Sequence, residues 1–357
     1  MALLPVRRAV IDVGTNSIKL LVADVAGQDV RPVWEESKQT RLGQGFYETR
    51  QLQPEAIART AESVAEFVRL ARQRQAASVR IIATSAARDA LNAATLTSSI
   101  ERSCGLRTEI ISGEQEADWA FEGAATDPTL RESPLLLMDI GGGSGQFIVG
   151  QGSRRFFRQS VPMGTVRLLE RFPVSDPPKP SELKACQDWL RTFLREEVAP
   201  KLTPVLQEQR LRRSGSELQL VGTGGTASIL GRMEAQLDSF DRERLERTRL
   251  SRAGVREHEQ RLWSLPLTQR RQVVGLPPNR ADVILTGVAI YAAVMEQFEF
   301  DQLRVSTRGL RFAAVMGMAG STLPGDQCVA VNTRTCSSVD TPSRTRSSAT
   351  MRKVRIP

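Results

Sequence analysis

Histidine is nearly absent from this 357-residue chain: His258 is the only one. That scarcity excludes Ser-His-Asp and Cys-His catalysis, a His-rich metal centre and an appended histidine-aspartate phosphohydrolase domain, and leaves acid-base work to carboxylates. His258 itself sits in an Arg/Glu-rich, helical stretch that reads as a solvated face. The four cysteines, Cys104, Cys186, Cys328 and Cys336, lack metal-ligand spacing and form no disulfide framework, so plain thiols are expected. Aromatics make up only 5% of residues and are not interleaved with the basic ones, which argues against a specific nucleic-acid reader. No apolar run reaches the length of a membrane span and no signal peptide precedes the first strand, so a cytoplasmic protein with no membrane partner is expected. The net charge of +9 favours a polyanionic ligand without naming one.

What is present is glycine in particular places. Leu135 to Gly150 reads as strand, tight turn, strand, with Asp139 at the mouth of the turn and Gly141, Gly142, Gly143 and Ser144 within it. Without Cβ atoms, such a turn lets backbone N-H groups converge on an anionic oxygen, above all phosphate, while Asp139 is placed to hold a hard cation. Ala9 to Val22 repeats the pattern with Asp12, Gly14, Thr15, Asn16 and Ser17. Two Asp-x-Gly hairpins more than a hundred residues apart point to two related half-domains that face one cleft. A third turn, Gly222-Thr-Gly-Gly-Thr226, ends a strand at Val221 and opens a helix, so that Gly224 lies where phosphate could rest on a helix N-terminus.

Between these turns the chain alternates strand and helix. Pro54 opens a helix whose stripe is Ile57, Ala61, Val64, Phe67, Val68 and Ala71. Thr84 to Asn92 is a small-residue turn before a helix, with Ser85 as its cap; Arg88 either clamps a phosphate or merely belongs to a capped helix start. Glu114 and Glu116, in the first turn of the next helix, serve either the helix dipole or the cleft. Ser181 is read as capping a helix that runs to about Val198, residues 240 to 272 as Arg-rich helices, and Arg308 to Met318 as a closing helix. Beyond residue 320 the Ser/Thr-rich, basic composition reads as a disordered tail.

Seven motifs, in order, resemble the exopolyphosphatase / guanosine pentaphosphate phosphatase (Ppx/GppA) family over residues 8 to 318. They are Asp12-Val-Gly-Thr-Asn-Ser17, Thr84-Ser-Ala-Ala-Arg88-Asp-Ala-Leu-Asn92, Ser112-Gly-Glu-Gln-Glu116-Ala117, Asp139-Ile-Gly-Gly-Gly-Ser144, Pro162-Met-Gly-Thr-Val-Arg167, Gly222-Thr-Gly-Gly-Thr226 and Arg280-Ala-Asp-Val-Ile-Leu285. The resemblance implies an α/β fold of two actin-like domains, of the sugar kinase, Hsp70-type ATPase and RNase H-like kind, around a cleft. Residues 1–125 with a returning helix at 306–320 would form the first domain, 126–305 the second, and 321–357 the tail. It implies Glu116 as general base, and Asp139 and Asp12 as holders of Mg2+. Gly14 to Ser17 and Gly141 to Ser144 would cradle phosphate, with Arg88 on the terminal phosphates. It further implies polyphosphate or guanosine penta/tetraphosphate as substrate, and dimers are common among its members. Two positions depart from the family pattern. Gln146 stands where the family usually has Glu, losing charge and basicity, and Asp118 replaces a basic residue. A catalytically weak alarmone or polyphosphate sensor is therefore an alternative, and a kinase or ATPase of the same superfold is a third reading.

Overall fold

The structure is a computed structural model that describes residues 4–212 and 217–317. The expected tail, with Cys328 and Cys336, lies outside the described residues.

Two sheets carry the fold. The first contains β1 (Val6–Val13), β2 (Ser17–Ala26), β3 (Asp29–Gln39), β4 (Ser78–Ala83) and β5 (Thr108–Ile110), in the order β3-β2-β1-β4-β5. The second contains β6 (Leu135–Ile140), β7 (Gly145–Gln151), β8 (Arg154–Val161), β9 (Gln219–Thr223), β10 (Arg249–Ser251) and β11 (Gln302–Val305), in the order β10-β11-β9-β6-β7-β8. Without the edge strand β10, the second order is the first one over again. In each sheet three strands meander antiparallel and two more join in parallel after helical crossovers. The two α/β units read from the repeated hairpin are thus one topology used twice.

Strand alternation distributes β1 between two cores. Ala9, Ile11 and Val13 meet the stripe of the helix Pro54–Gln73, including Ile57, Val64, Phe67 and Val68. Val10, with Leu21 and Ile82, packs on the opposite face against Leu310, Phe312, Ala314 and Val315. The last described helix, Leu310–Met316, therefore covers the first sheet although β11, just before it, belongs to the second. The second sheet has its own core, in which the almost wholly buried helix Ile284–Gln297 is central. Among the described residues no helix is long and apolar enough to cross a membrane.

Several local expectations are corrected. Thr84, not Ser85, is the N-cap of the short helix Ser85–Asp89, and the Ser85 hydroxyl is buried without a hydrogen-bond partner. The helix expected from Ser181 starts at Pro180, and Glu182 accepts a 2.7 Å bond from the Lys179 N-H. Residues 240 to 272 are not all helical, because β10 pairs with β11. His258 is not on a solvated face: its Nε2 lies 3.0 Å from Glu234, and its neighbour Glu259 is buried. Cys104 and Cys186 are free thiols, as expected.

The helices Gly113–Ala124 and Leu310–Met316 cross where Gly123 meets the backbone of Gly309, and a Cβ on Gly123 would collide with the Gly309 carbonyl. Gly123→Ala is expected to destabilise the fold by about 1–3 kcal/mol, the usual cost of overpacking, read as a lowered urea midpoint.

Candidate active site

The two hairpin turns have the same internal geometry. Gly14 N-H donates to Ser17 O at 3.1 Å, and Gly141 N-H donates to Ser144 O at 3.0 Å. Their carbonyls are tied down from behind. Thr15 O accepts from Gly43 at 2.7 Å, and Asn16 O accepts from Thr40 and Arg41. In the second turn Gly141 O and Gly142 O accept from Thr165, Val166 and Arg167 N-H, and Gly143 O accepts from the Arg167 guanidinium at 2.8 Å. The Pro162 to Arg167 motif is therefore a brace for the glycine turn. With the carbonyls engaged, the N-H groups of Thr15, Asn16, Gly142 and Gly143 have no protein acceptor among the described residues, which is the arrangement an anion requires.

The turns touch. A Cβ on Gly142 would stand 2.9 Å from Thr15 Cβ, and one on Gly143 would stand 2.5 Å from the Ser85 hydroxyl. Ion pairs join the two lobes on either side: Arg167–Asp89 at 2.8 Å, Arg41–Asp282 at 2.7 Å, and Glu35, from β3, with Arg242; within the first lobe Glu35 also meets Arg311.

Between the turns lies a cavity of about 460 Å³. Asp12, Gly14, Thr15, Asn16, Ser17, Glu116, Asp139, Gly141, Gly142, Gly143, Ser144 and Gly224 all line it, whereas Arg88, Glu114, Asp118 and Gln146 do not, Glu114 and Asp118 pairing with Arg158 instead. Arg88 lies behind Glu116: one guanidinium nitrogen is 3.0 Å from Glu116 Oε2 and 3.1 Å from the carbonyl of Ile111. Ser112 caps the helix Gly113–Ala124 by accepting from Gln115 N-H, which fixes Glu116 on the first turn, facing the cavity. Gly224 is needed twice over, because its φ is +82° and Asp139 Oδ1 occupies the place a Cβ would take.

The charges here are mostly uncompensated. Burial pushes Glu116, only 7% exposed, up to about 7; Arg88 opposes the rise, while Asp139 and Asp12 add to it. Burial likewise raises Asp12 and Asp139, and Lys19 is the chief group that lowers both. Asp12 Oδ1 is buried without a hydrogen-bond partner. Two such carboxylates facing one space, with phosphate oxygens to complete the shell, suit a hard divalent cation of the magnesium type. Among the described residues no group of three or more His, Cys, Asp or Glu forms an all-protein metal cage.

Gln146 lies opposite Asp139 in the β6–β7 register and is 1% exposed. Its Nε2 donates to Ser144 Oγ at 2.8 Å and to Ser160 Oγ at 3.2 Å, and its Oε1 is left without a partner. Four cavity cations were given no role from the sequence: Lys19, Arg232, Arg280 and Arg311. Arg311 is held by the Leu20 carbonyl at 2.8 Å and by Glu35, while burial lowers Arg280 to about 10. Lys19 carried one signal, a charge within the apolar run from Ile18 to Ala23.

Residues 21–322 match the profile of the Ppx/GppA phosphatase family. The chain is 33% identical over 327 residues to exopolyphosphatase 2 of Mycobacterium tuberculosis, a match spanning 88% of this chain and 99% of that protein. Among solved structures, the Ppx/GppA enzyme of Aquifex aeolicus superposes with a TM-score of 0.69 at 28% identity, covering 88% of this chain and 100% of that one. An exopolyphosphatase of Cytophaga hutchinsonii superposes with a TM-score of 0.75 at 26% identity, covering 86% and 96%.

Since Arg88 is the main cation holding Glu116 down, Arg88→Met is expected to move the Glu116 midpoint above 7. A carbon-13 NMR titration of the Glu116 side-chain carboxyl checks this directly.

Proposed function

The chain belongs to the Ppx/GppA phosphatase family, and from that premise we propose that it removes the terminal phosphate of inorganic polyphosphate by hydrolysing the phosphoanhydride bond. The observation that carries this reading is Glu116 facing Asp12, Asp139 and two opposed sets of free amide groups within one cavity. Those amides hold the oxygens of the terminal phosphate. Asp12 and Asp139 are the residues that would hold Mg2+, which supplies neutralisation of the phosphate oxygens and acidification of a bound water. Glu116, with a pKa close to neutrality, accepts the proton of the attacking water as its oxygen bonds to phosphorus and the bridging oxygen leaves. Arg88 acts behind the base: it orients Glu116 and lowers its pKa.

A second substrate is favoured by the rest of the cavity lining, which includes the apolar residues Ile229, Phe240, Pro277, Val283, Ile284 and Phe312 together with Arg280 and Asn279. An apolar face next to a phosphate site suits a nucleoside base, so guanosine pentaphosphate fits as the alternative to polyphosphate. The weak-sensor reading turns on Gln146, whose amide orders Ser144 and cannot act as a base.

Phosphate release from polyphosphate of defined length and from guanosine pentaphosphate, with Mg2+ and with a chelator, tests the proposal. Release from either is expected to depend on Mg2+ and to fall about 10²–10⁴-fold in Glu116→Gln. Equal release by wild type and Glu116→Gln removes the mechanism. Because the working form of Glu116 is the carboxylate, kcat/KM is expected to rise with pH through about 7. Gln146→Glu separates enzyme from sensor: tight binding of polyphosphate with negligible turnover that Glu raises at least tenfold marks the wild type as a sensor silenced at this position.

A further inference from the structure

The second lobe holds another cavity, of about 260 Å³, which shares no lining residue with the active-site cavity. Three helices wall it. Pro180–Phe193 contributes Gln187 and Arg191, Arg252–Ser264 contributes Arg256 and Glu259, and Ile284–Gln297 contributes Ala289, Ala293 and Glu296. Each set is spaced by about one turn, so each helix turns a single face toward the same space.

Glu259 is the unusual member of this wall. Its side chain is 1% exposed, and burial pushes its pKa up against the pull of Arg256 and Gln187. Both of those donors go to one oxygen: Oε2 accepts from Gln187 Nε2 at 3.0 Å and from Arg256 at 3.1 Å, whereas Oε1 is buried without a partner. A buried acceptor left bare is costly, and a hydrogen-bond donor arriving at it relieves that cost. Arg256 is already committed, since it also holds Glu296 on the neighbouring helix. Arg191 is the converse case. More than half exposed, it donates to Asp188 at 2.9 Å, an acid that Lys184 also holds, and the rest of its fork has no acceptor among the described residues.

The lining carries two arginines and two glutamates, so its formal charges cancel. After Arg256 has paired with Glu296 and with one oxygen of Glu259, an anionic oxygen and a guanidinium remain, with Ala289 and Ala293 as a small apolar floor. A simple cation entering here meets two arginines, and a simple anion meets two glutamates. A small molecule bearing both charges finds a partner for each.

We propose that this cavity binds a free α-amino acid, its ammonium donating to Glu259 Oε1 and its carboxylate accepting from the Arg191 guanidinium. The site is additional to the phosphatase reading and does not rest on it.

Saturation-transfer NMR on the full chain with glycine, L-alanine and L-glutamine tests this without any turnover. At least one is expected to bind with a Kd of about 1 mM or tighter. Acetate and glycinamide, which carry one charge each, are expected to bind at least about tenfold more weakly. Glu259→Gln and Arg191→Met are each expected to weaken binding about tenfold, and Ala293→Met, which fills the floor and leaves every charge in place, to abolish it. Near-UV circular dichroism establishes that the variants are folded; Arg191 is exposed, so its variant tests the site even where Glu259→Gln does not fold. A wild type that binds none of the three amino acids overturns the proposal. So does equal binding of acetate or glycinamide, or unchanged affinity in folded Arg191→Met. Phosphate release from tripolyphosphate by the wild type is a separate measurement, so the two readings fail independently.

Discussion

Three carboxylates buried around one space are the constraint from which the rest of this cleft follows. Asp12, Glu116 and Asp139 come from β1, a helix start and β6, and burial favours the neutral form of each. Like charges brought together away from water are costly, so their surroundings must answer them. Arg88 answers Glu116 by direct contact, and Lys19 answers the two aspartates from within the cavity. Both cations leave the carboxylates short of full compensation. A site with that imbalance would suit a divalent cation carried in beside phosphate, and burial keeps one carboxyl, Glu116, basic enough to take a proton near neutral pH.

The glycine turns were legible in the sequence because turn chemistry is local. Asp-x-Gly followed by small residues between two apolar runs specifies a strand, a tight turn and a strand whatever the rest of the chain does. Their partnership was legible too, since the pattern occurs twice and each copy needs a facing surface. Lys19 escaped notice for the opposite reason. In Ile18-Lys19-Leu20 the flanking residues go into the core, and only the pairing of β1 with β2 shows that Lys19 shares a face with Asp12. Ser85 was misplaced by one residue, and helix starts are where local rules are least sharp. β10 was hidden because three residues of an Arg-rich stretch become a strand only through the neighbour they find in β11. Glu259 was hidden likewise: tertiary packing against Gln187 and Arg256 buries a charge that composition assigns to solvent.

The duplicated topology also makes the difference between the lobes readable. The two turns share the same Gly to Ser hydrogen bond, and both have their carbonyls pinned from outside. They part at the residue opposite each aspartate, which is Lys19 in one and Gln146 in the other. A symmetric pair of lysines would oversupply charge, and a pair of glutamines would leave the aspartates with Arg311 alone to favour their charge. The repeat supplies the cradle, and the departure from it sets the electrostatics.

The contact of Gly142 with Thr15, and of Gly143 with the Ser85 hydroxyl, has a topological consequence for any polymer that enters. Where backbone rests against side chain across the two lobes, a thread has no room to pass between the two turns. A linear phosphate chain would meet them tip first, its remainder trailing back toward the mouth. Shortening would then proceed one unit at a time from the extremity, because an interior bond would need a tunnel with two open ends.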